Sequence, residues 1–206
     1  MKKLLLLTTV LGFALSTAFA ADEPGCVSLF NGKDTDGWKS RRADGHNSWS
    51  IEGGILKNTV NKGEHGTDLV TNKKFWNFTV RYEYQVPDNS NSGFYLRGRH
   101  ELQILGDYKS GKPSKGGGNG AIYNHTAPSD FASKPAGEWQ TVEATIIGNK
   151  ITVTLNGKKI HDGVVCDKAT GSEIDGKVNE PGPIFLQGDH GTVWFRNLRM
   201  KELPKD

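Results

Sequence analysis

The stretch FTVRYEYQVPDNSNSGFYLRGRHELQIL, residues 78–105, decides the fold class. Apolar and polar residues alternate along 78–86, and again at Phe94–Arg97 and Glu101–Ile104. Alternation with a period of two indicates β-strands that bury one face and expose the other. The stretch therefore predicts three strands.

The same pattern continues through the rest of the chain. Val142–Ile146 leads through Gly148 and Asn149 into Ile151–Leu155, which predicts a hairpin. A second hairpin is predicted from 184–186 to 193–195, turning at Gly188–Gly191. No window has a sustained apolar period of 3.6 residues, and 26 of the 206 residues are glycine, well above the usual share. These features predict an all-β, antiparallel sandwich or barrel.

The first twenty residues predict a secretory signal peptide. Lys2 and Lys3 precede an apolar run at 4–15, and Ala18-Phe19-Ala20 resembles a cleavage site. We expect cleavage after Ala20, a periplasmic or secreted protein, and one domain over residues 21–206. The apolar run is short for a bilayer span, and no later segment is apolar enough, so we expect no membrane span.

Charge argues against a nucleic-acid partner. Without Lys2 and Lys3 the formal net charge falls from +3 to +1, and no basic stripe is visible. The two cysteines, Cys26 and Cys166, suit a disulfide in an oxidising compartment or two buried thiols, and their spacing does not match a zinc site.

Several of the predicted strands carry large planar polar side chains. A face of carboxylates, carboxamides and guanidiniums is typical of a sugar-binding groove, although a salt-bridged outer face has the same composition. The residues concerned are Glu83, Arg97, Glu101, Gln103, Gln187 and Arg196.

A set of short motifs along the chain is similar to those of the 3-keto-disaccharide hydrolase family. The motifs are LFNGK (29–33), DGW (36–38), NSGFYLR (91–97), ELQIL (101–105), GAIY (120–123), GEW (137–139), LNG (155–157), GPIFLQ (182–187), HG (190–191) and VWFRN (193–197). The resemblance spans about residues 27–203. It implies a concanavalin A-like jelly-roll sandwich, export, and action on 3-keto-glycosides.

The predicted strand at 101–106 differs from the corresponding strand of glucanases with the same fold. Laminarinase-like glucanases carry E-x-D-x-x-E on one strand, where this chain has Glu101-x-Gln103-x-x-Gly106. Because the second carboxylate is missing, retaining hydrolysis is disfavoured. The resembling family often has Asp at the position of Gly106, so Asp107 is a candidate for that role from a shifted position.

A 3-keto sugar needs a different set of groups. Its carbonyl acidifies the C2 proton, so a single base can start β-elimination of the C1 substituent, with hydrolysis as the alternative. Glu101 or His190 is the predicted base. Arg97, Arg196 or a bound divalent cation is predicted to hold the developing oxyanion.

The remaining candidates are predicted to bind the sugar. Gln103 and Gln187 would orient hydroxyl groups, and Glu83 would lie in the same groove. Four aromatic residues could stack on a sugar ring or pack in the core: Tyr95, Tyr123, Trp139 and Trp194.

Two functions of different class follow. The first is an exported enzyme that cleaves 3-keto-glucosides or 3-keto-disaccharides, with a sugar 3-dehydrogenase acting upstream to make the oxidised sugar. The second is a non-catalytic carbohydrate-binding module on the same sandwich. Release of the aglycone from a 3-keto-glucoside would distinguish them.

Overall fold

The computed structural model describes residues 24–42, 44, 46–113 and 116–205. The predicted signal peptide, residues 1–20, lies outside these residues. Within the described part the chain forms thirteen strands and one short 3-10 helix at Tyr108–Ser110. The same part has no helix of the length and apolar character that a bilayer span requires. The strands are β1 Cys26–Ser28, β2 Trp38–Ser40, β3 Trp49–Glu52, β4 Ile55–Asn58, β5 Leu69–Thr71, β6 Phe78–Gln85, β7 Asn91–Leu96, β8 His100–Leu105, β9 Gln140–Ile147, β10 Lys150–Leu155, β11 Lys158–Val165, β12 Phe185–Leu186 and β13 Val193–Glu202.

These strands form two antiparallel sheets. One has eight strands in the order β11-β10-β9-β6-β13-β4-β3, with β1 also paired to β13, and the other has five in the order β2-β5-β12-β7-β8. Apolar residues of both sheets share one core, in which Tyr82 of the larger sheet stacks on Phe94 of the smaller one at a ring-centroid distance of 3.9 Å. The predicted all-β, antiparallel sandwich is confirmed.

The alternation in residues 78–105 corresponds to β6, β7 and β8. Along β6 every second residue is buried, as the sequence pattern predicts. The strands divide between the sheets, because β6 pairs with β9 and β13, whereas β7 pairs with β8 and β12. The three predicted strands are thus confirmed, and the chain passes from the larger sheet to the smaller one between β6 and β7.

One predicted hairpin is confirmed and the other is wrong. β9 and β10 pair around Gly148 and Asn149. By contrast, β12 and β13 lie in different sheets, so the segment at 187–192 crosses from one sheet to the other. The crossing is held by the Asn58 side-chain amide, which donates hydrogen bonds of 2.8 Å to the carbonyls of Gly188 and Gly191.

A disulfide between Cys26 and Cys166 is not formed, and the fold does not allow one. Both are free thiols. Cys26 lies on β1 and Cys166 follows β11, and five inter-strand spacings separate these strands across the larger sheet. At about 4.8 Å per spacing the gap is roughly 24 Å, far beyond the reach of a disulfide.

The outer face of the five-stranded sheet carries the polar residues that matter below. Tyr95 of β7 pairs with Glu101 of β8 and with Phe185 of β12, which in turn pairs with Val70 of β5. Directly paired residues point to the same side of a sheet, so these four side chains share one face. Their neighbours in sequence, such as Phe94 and Leu102, point into the core.

Candidate active site

Glu101 lies on this outer face, on β8, the last strand in the order of the smaller sheet. Its side chain is buried, with 3 % of the residue exposed, and Tyr95 Oη donates a 2.8 Å hydrogen bond to Glu101 Oε2. The Tyr95 ring stacks on Phe185 with 4.1 Å between centroids, which fixes the position of the donor. A buried carboxylate thus has a rigid partner on one oxygen.

A glycine makes room for this carboxylate. A Cβ atom on Gly93 would lie 2.3 Å from Glu101 Oε1, well inside van der Waals contact. Gly93 also accepts a backbone hydrogen bond of 2.9 Å from Gln187 N, so this part of β7 has little freedom to move away. The Glu101 side chain therefore lies across Gly93 because that residue has no side chain.

The surroundings of Glu101 shift its acidity towards neutrality. Burial raises the pKa of the Glu101 carboxyl to about 7, against the opposing hydrogen bond from Tyr95 and the attraction of His190. The carboxylates of Asp189 and Asp68 add to the increase. A carboxyl group with such a pKa can take and return a proton near neutral pH.

His190 and Asp189 lie on the crossing segment between β12 and β13, close enough to Glu101 to act on its charge. His190 Nδ1 is hydrogen-bonded to Asp189 Oδ1, and the His190 side chain is about half exposed. The segment thus presents an imidazole paired with a carboxylate at the edge of the site. Of the two predicted bases, Glu101 is the buried one and His190 is open to solvent.

A polar pocket of about 280 Å³ opens next to these groups. Burial raises the pKa of Asp68, one of its buried lining residues. The Arg41 guanidinium lies 5.0 Å above the Phe185 ring centroid. The sequence does not predict Asp68, Arg41 or Asp189 as site residues. The lining residues are Arg41, Arg42, Asp68, Ser172, Gln187 and Asp189.

Gln103, Gln187 and Tyr123 also lie on this face. Gln103 Nε2 donates a 2.7 Å hydrogen bond to Asn91 Oδ1, so its amide is held within the sheet. Gln187 Oε1 is buried without a donor, and the residue lines the pocket. Tyr123 N donates to the Glu101 carbonyl at 3.0 Å, which sets Tyr123 alongside β8.

Arg97 is not part of the site, contrary to the prediction. It is fully buried at the end of β7, where its Nη2 donates to the Gly148 carbonyl and its guanidinium lies 4.2 Å from the Trp76 ring centroid. Its backbone adopts a positive φ of 54° in the turn to β8. The strand alternation therefore ends before Arg97, and its side chain leaves the face that carries Tyr95.

Asp107 and Gly106 lie beyond the end of β8. Asp107 Oδ2 accepts a 3.0 Å hydrogen bond from Asn119 N, so this side chain holds the glycine-rich segment that follows. A Cβ on Gly106 would lie 2.0 Å from the Pro87 carbonyl oxygen. Position 106 thus excludes any side chain, and the structure gives Asp107 a structural contact in place of the predicted catalytic one.

The other four predicted sugar ligands lie on the eight-stranded sheet, so their assignment to one groove with Glu101 is wrong. Glu83 pairs with Arg196 across β6 and β13, and their side chains form an ion pair. The Arg196 guanidinium lies 4.0 Å from the Trp139 ring centroid, and Lys57 Nζ lies 5.0 Å from that of Trp194. These contacts form a salt-bridged outer face, on the far side of the core from Glu101.

A metal ion has no preformed cage here. Among the described residues no group of three or more His, Cys, Asp or Glu side chains is arranged to hold one. Asp189 is paired with His190, and Asp68 accepts backbone hydrogen bonds from Gly188 and Asp189. The described carboxylates near Glu101 therefore do not form a cation site.

The fold and site define a class of protein. The chain superposes on a β-glucanase of Bacillus licheniformis with a TM-score of 0.55 and 13 % identity, over 89 % of this chain and all of that one, which shows a shared jelly-roll fold. A proposed glycosyl hydrolase of Parabacteroides distasonis superposes with a TM-score of 0.68 and 27 % identity, over 87 % of this chain and 84 % of that one. The class is thus that of glycoside-cleaving enzymes built on a jelly-roll sandwich.

Within this class, the chain belongs to the 3-keto-alpha-glucoside-1,2-lyase-like domain family, whose model matches residues 25–201. It is also 27 % identical to the 3-keto-disaccharide hydrolase of Bacteroides thetaiotaomicron, over 91 % of this chain and 82 % of that protein. The family and enzyme class predicted from the sequence motifs are confirmed.

Proposed function

We propose that the protein cleaves 3-keto-glycosides, including 3-keto-disaccharides, and that Glu101 is the base that removes the C2 proton. The observation that carries this proposal is the Glu101 carboxyl itself, buried on the sheet face, held by Tyr95 and poised near pH 7. Such a group suits proton abstraction next to a ketone, because the carbonyl has already acidified that proton. The names of the family and of the Bacteroides relative support the same chemistry.

The proposed reaction begins with transfer of the C2 proton to Glu101. The C2–H electron pair moves towards the C3 carbonyl, which becomes an enolate oxygen. The enolate then re-forms the ketone, a C1–C2 double bond forms, and the C1–O bond breaks with its electron pair on the aglycone oxygen. That oxygen takes up a proton. Addition of water across the C1–C2 double bond completes net hydrolysis.

The other groups have complementary roles in this proposal. His190, paired with Asp189, delivers the proton to the leaving oxygen. Arg41 supplies positive charge at the pocket for the enolate oxygen, since Arg97 and Arg196 lie elsewhere. Gln187 Oε1 accepts a hydrogen bond from a sugar hydroxyl, which satisfies a buried acceptor that otherwise lacks a donor.

The test is release of the aglycone from a 3-keto-glucoside by the purified protein. Glu101→Gln keeps the size and the acceptor for Tyr95 but cannot take the proton, so we expect about a 1000-fold loss of kcat, which is within the range that one general base contributes. His190→Ala should lose less, about 100-fold. Binding of the keto sugar without release by the wild-type protein would instead identify a carbohydrate-binding module.

Deuterium at C2 of the substrate separates elimination from direct hydrolysis. Elimination breaks the C2–H bond, so the deuterated substrate should react several-fold more slowly, whereas direct displacement at C1 leaves that bond intact. A rate ratio near one would exclude C2 proton abstraction from the rate-limiting step. If, in addition, the deuterium at C2 is not exchanged for hydrogen from unlabelled solvent, the assignment of Glu101 as the base is overturned.

Export, the cation and the upstream partner belong to this proposal as well. An exported protein should begin at Ala21 when recovered from periplasm or medium, which N-terminal sequencing measures. Dialysis against a chelator, followed by return of divalent cations, measures any metal requirement. Because 3-keto sugars arise by oxidation of the C3 hydroxyl, a sugar 3-dehydrogenase must supply the substrate.

A further inference from the structure

The Asp68 carboxylate joins two segments that are far apart in sequence. It lies immediately before β5 and is buried, with 7 % of the residue exposed. Its Oδ1 accepts backbone hydrogen bonds from Gly188 N at 2.9 Å and Asp189 N at 3.3 Å. Asp68 thus holds the start of the crossing segment that carries His190.

The second oxygen of Asp68 contacts Arg41, which in turn binds the segment between β11 and β12. Arg41 Nη1 lies 3.5 Å from Asp68 Oδ2 and donates a 2.8 Å hydrogen bond to the Ser172 carbonyl. Arg41 Nη2 donates to the Glu173 carbonyl at 2.8 Å. The guanidinium therefore ties the long segment between β11 and β12 to the same carboxylate.

The pocket lies between these two segments. Ser172 lines it from the β11–β12 segment, Asp189 lines it from the crossing segment, and Asp68 and Arg41 both contribute to its lining. The Ser172 side chain also interacts with the Tyr95 hydroxyl that holds Glu101. The Ser172 wall is thus linked to Glu101 through Tyr95, and the Arg41–Asp68 ion pair connects this wall to the crossing segment.

We propose that Asp68 is a positioning residue: through its two backbone hydrogen bonds and Arg41 it fixes the spacing of the two pocket walls and keeps His190 next to Glu101. The catalytic part of this inference rests on the proposed function, whereas the connection between the walls does not. Asp68 thus has two arms with different roles. The Gly188 arm, its hydrogen bonds with Gly188 N and Asp189 N, positions His190. The Arg41 arm, its contact with the Arg41 guanidinium, positions Ser172.

Activity distinguishes the two arms. Asp68→Ala removes both, and we expect kcat to fall roughly 10- to 100-fold, as misplacement of a catalytic group does. Asp68→Asn retains an oxygen that can accept from Gly188 N, so it should recover most of that loss. Arg41→Ala releases only the Ser172 wall but also removes the charge proposed for the enolate oxygen, so it should lower kcat as well as raise KM, and the rise in KM is the readout of the Ser172 wall.

A double-mutant cycle identifies the residue through which Asp68 acts. In a His190→Ala background, Asp68→Ala should cost at least threefold less in kcat than it does in the wild-type protein, because the group it positions is already absent. The effect of Arg41→Ala on KM should be the same in both backgrounds. Full additivity of Asp68→Ala and His190→Ala would overturn the positioning of His190.

Hydrogen exchange tests the connection independently of activity. In Asp68→Ala, exchange of the amides at 188–189 and in the 170–175 segment should be faster by tenfold or more, while amides of β9 and β10 remain unchanged. Asn77→Ala is the matched control, because Asn77 is equally buried and bonds the Gly148 amide and Pro204 carbonyl away from the pocket. Its exchange should change near those residues only.

The outcomes separate the two proposals. If the wild-type protein is inactive on 3-keto-glycosides but Asp68→Ala exposes both segments to exchange, the proposed function fails and the connection stands. If exchange at both segments matches the wild-type protein, the connection is overturned whatever the activity.

Discussion

Tyr95 and Glu101 face each other across β7 and β8, and the tyrosine hydroxyl donates a 2.8 Å hydrogen bond to the carboxylate. The pKa of the Glu101 carboxyl is therefore set by two opposing influences. Burial raises the pKa of Glu101, and the tyrosine bond lowers it, with a resulting pKa of about 7. The balance can be changed by removing a single oxygen atom.

Tyr95→Phe should move the acid limb of kcat/KM to higher pH. Loss of the hydroxyl removes stabilisation of the carboxylate, so the pKa of Glu101 rises and less base is ionised at pH 7. A hydrogen bond to a charged group contributes about 1.5 kcal/mol or more, which corresponds to a shift of about one pH unit. The pH dependence of kcat/KM measures it; a limb that stays in place or moves to lower pH would contradict the assignment.

Glu101→Gln should stabilise the protein at pH 8. The folded pKa of about 7 lies above the ordinary value of 4.5, so the wild-type protein binds more protons when folded and loses stability as pH rises through that interval. The full loss is about 3 kcal/mol. Urea unfolding should give the variant a higher free energy of unfolding than the wild-type protein at pH 8, and this advantage should shrink by about that amount at pH 4.

Gly93→Ala should impair catalysis while the sandwich still folds. The added methyl group would lie 2.3 Å from Glu101 Oε1, so the flexible carboxylate must move away from its bonded position. We expect kcat to fall about 100-fold. Gly176→Ala is the matched control, because a Cβ there meets no atom within 4 Å, and it should leave kcat unchanged. Equal activity of the two variants would exclude this account.

Gly106→Asp should destabilise the protein and should not increase its activity. A Cβ at position 106 would meet the Pro87 carbonyl oxygen at 2.0 Å, and both are backbone-fixed. Overpacking of this kind costs about 1–3 kcal/mol, measurable by thermal or urea unfolding. A more active variant of unchanged stability would show that the new carboxylate reaches the site.

Arg196→Ala should leave kcat and KM for a 3-keto-glycoside unchanged. Arg196 lies on the larger sheet with Glu83 and Trp139, on the far side of the core from Glu101. A loss of activity comparable to that of His190→Ala would mean that the far face takes part in the reaction.

The sequence pattern predicts the strands well and their partners poorly. Alternation locates β6, β7 and β8, because it depends only on which residues face the core. An alternation with a period of two does not indicate which of the two sheets a strand joins. The alternation therefore predicts one shared face for Arg196, Glu83 and Glu101, although Arg196 and Glu83 lie on the opposite sheet.

Asp68 and Arg41, which the sequence does not predict as site residues, are held in place by long-range contacts. Asp68 and Arg41 reach the site through hydrogen bonds to residues more than 100 positions later in the chain. The one local signal was a carboxylate directly before the apolar strand at 69–71, where a backbone-binding side chain often lies. Arg97 shows the reverse error, since its positive φ in the turn redirects a side chain that the strand pattern would place beside Tyr95.

The position of β12 has a consequence for how the enzyme becomes active during synthesis. This two-residue strand lies between β5 and β7, although about 90 residues separate it from β7 in the sequence. A nascent chain that stops before Phe185 lacks the middle of the face on which Tyr95 stacks, and also Gln187, Asp189 and His190. Catalysis by the proposed site therefore cannot begin until the chain up to His190 has left the ribosome.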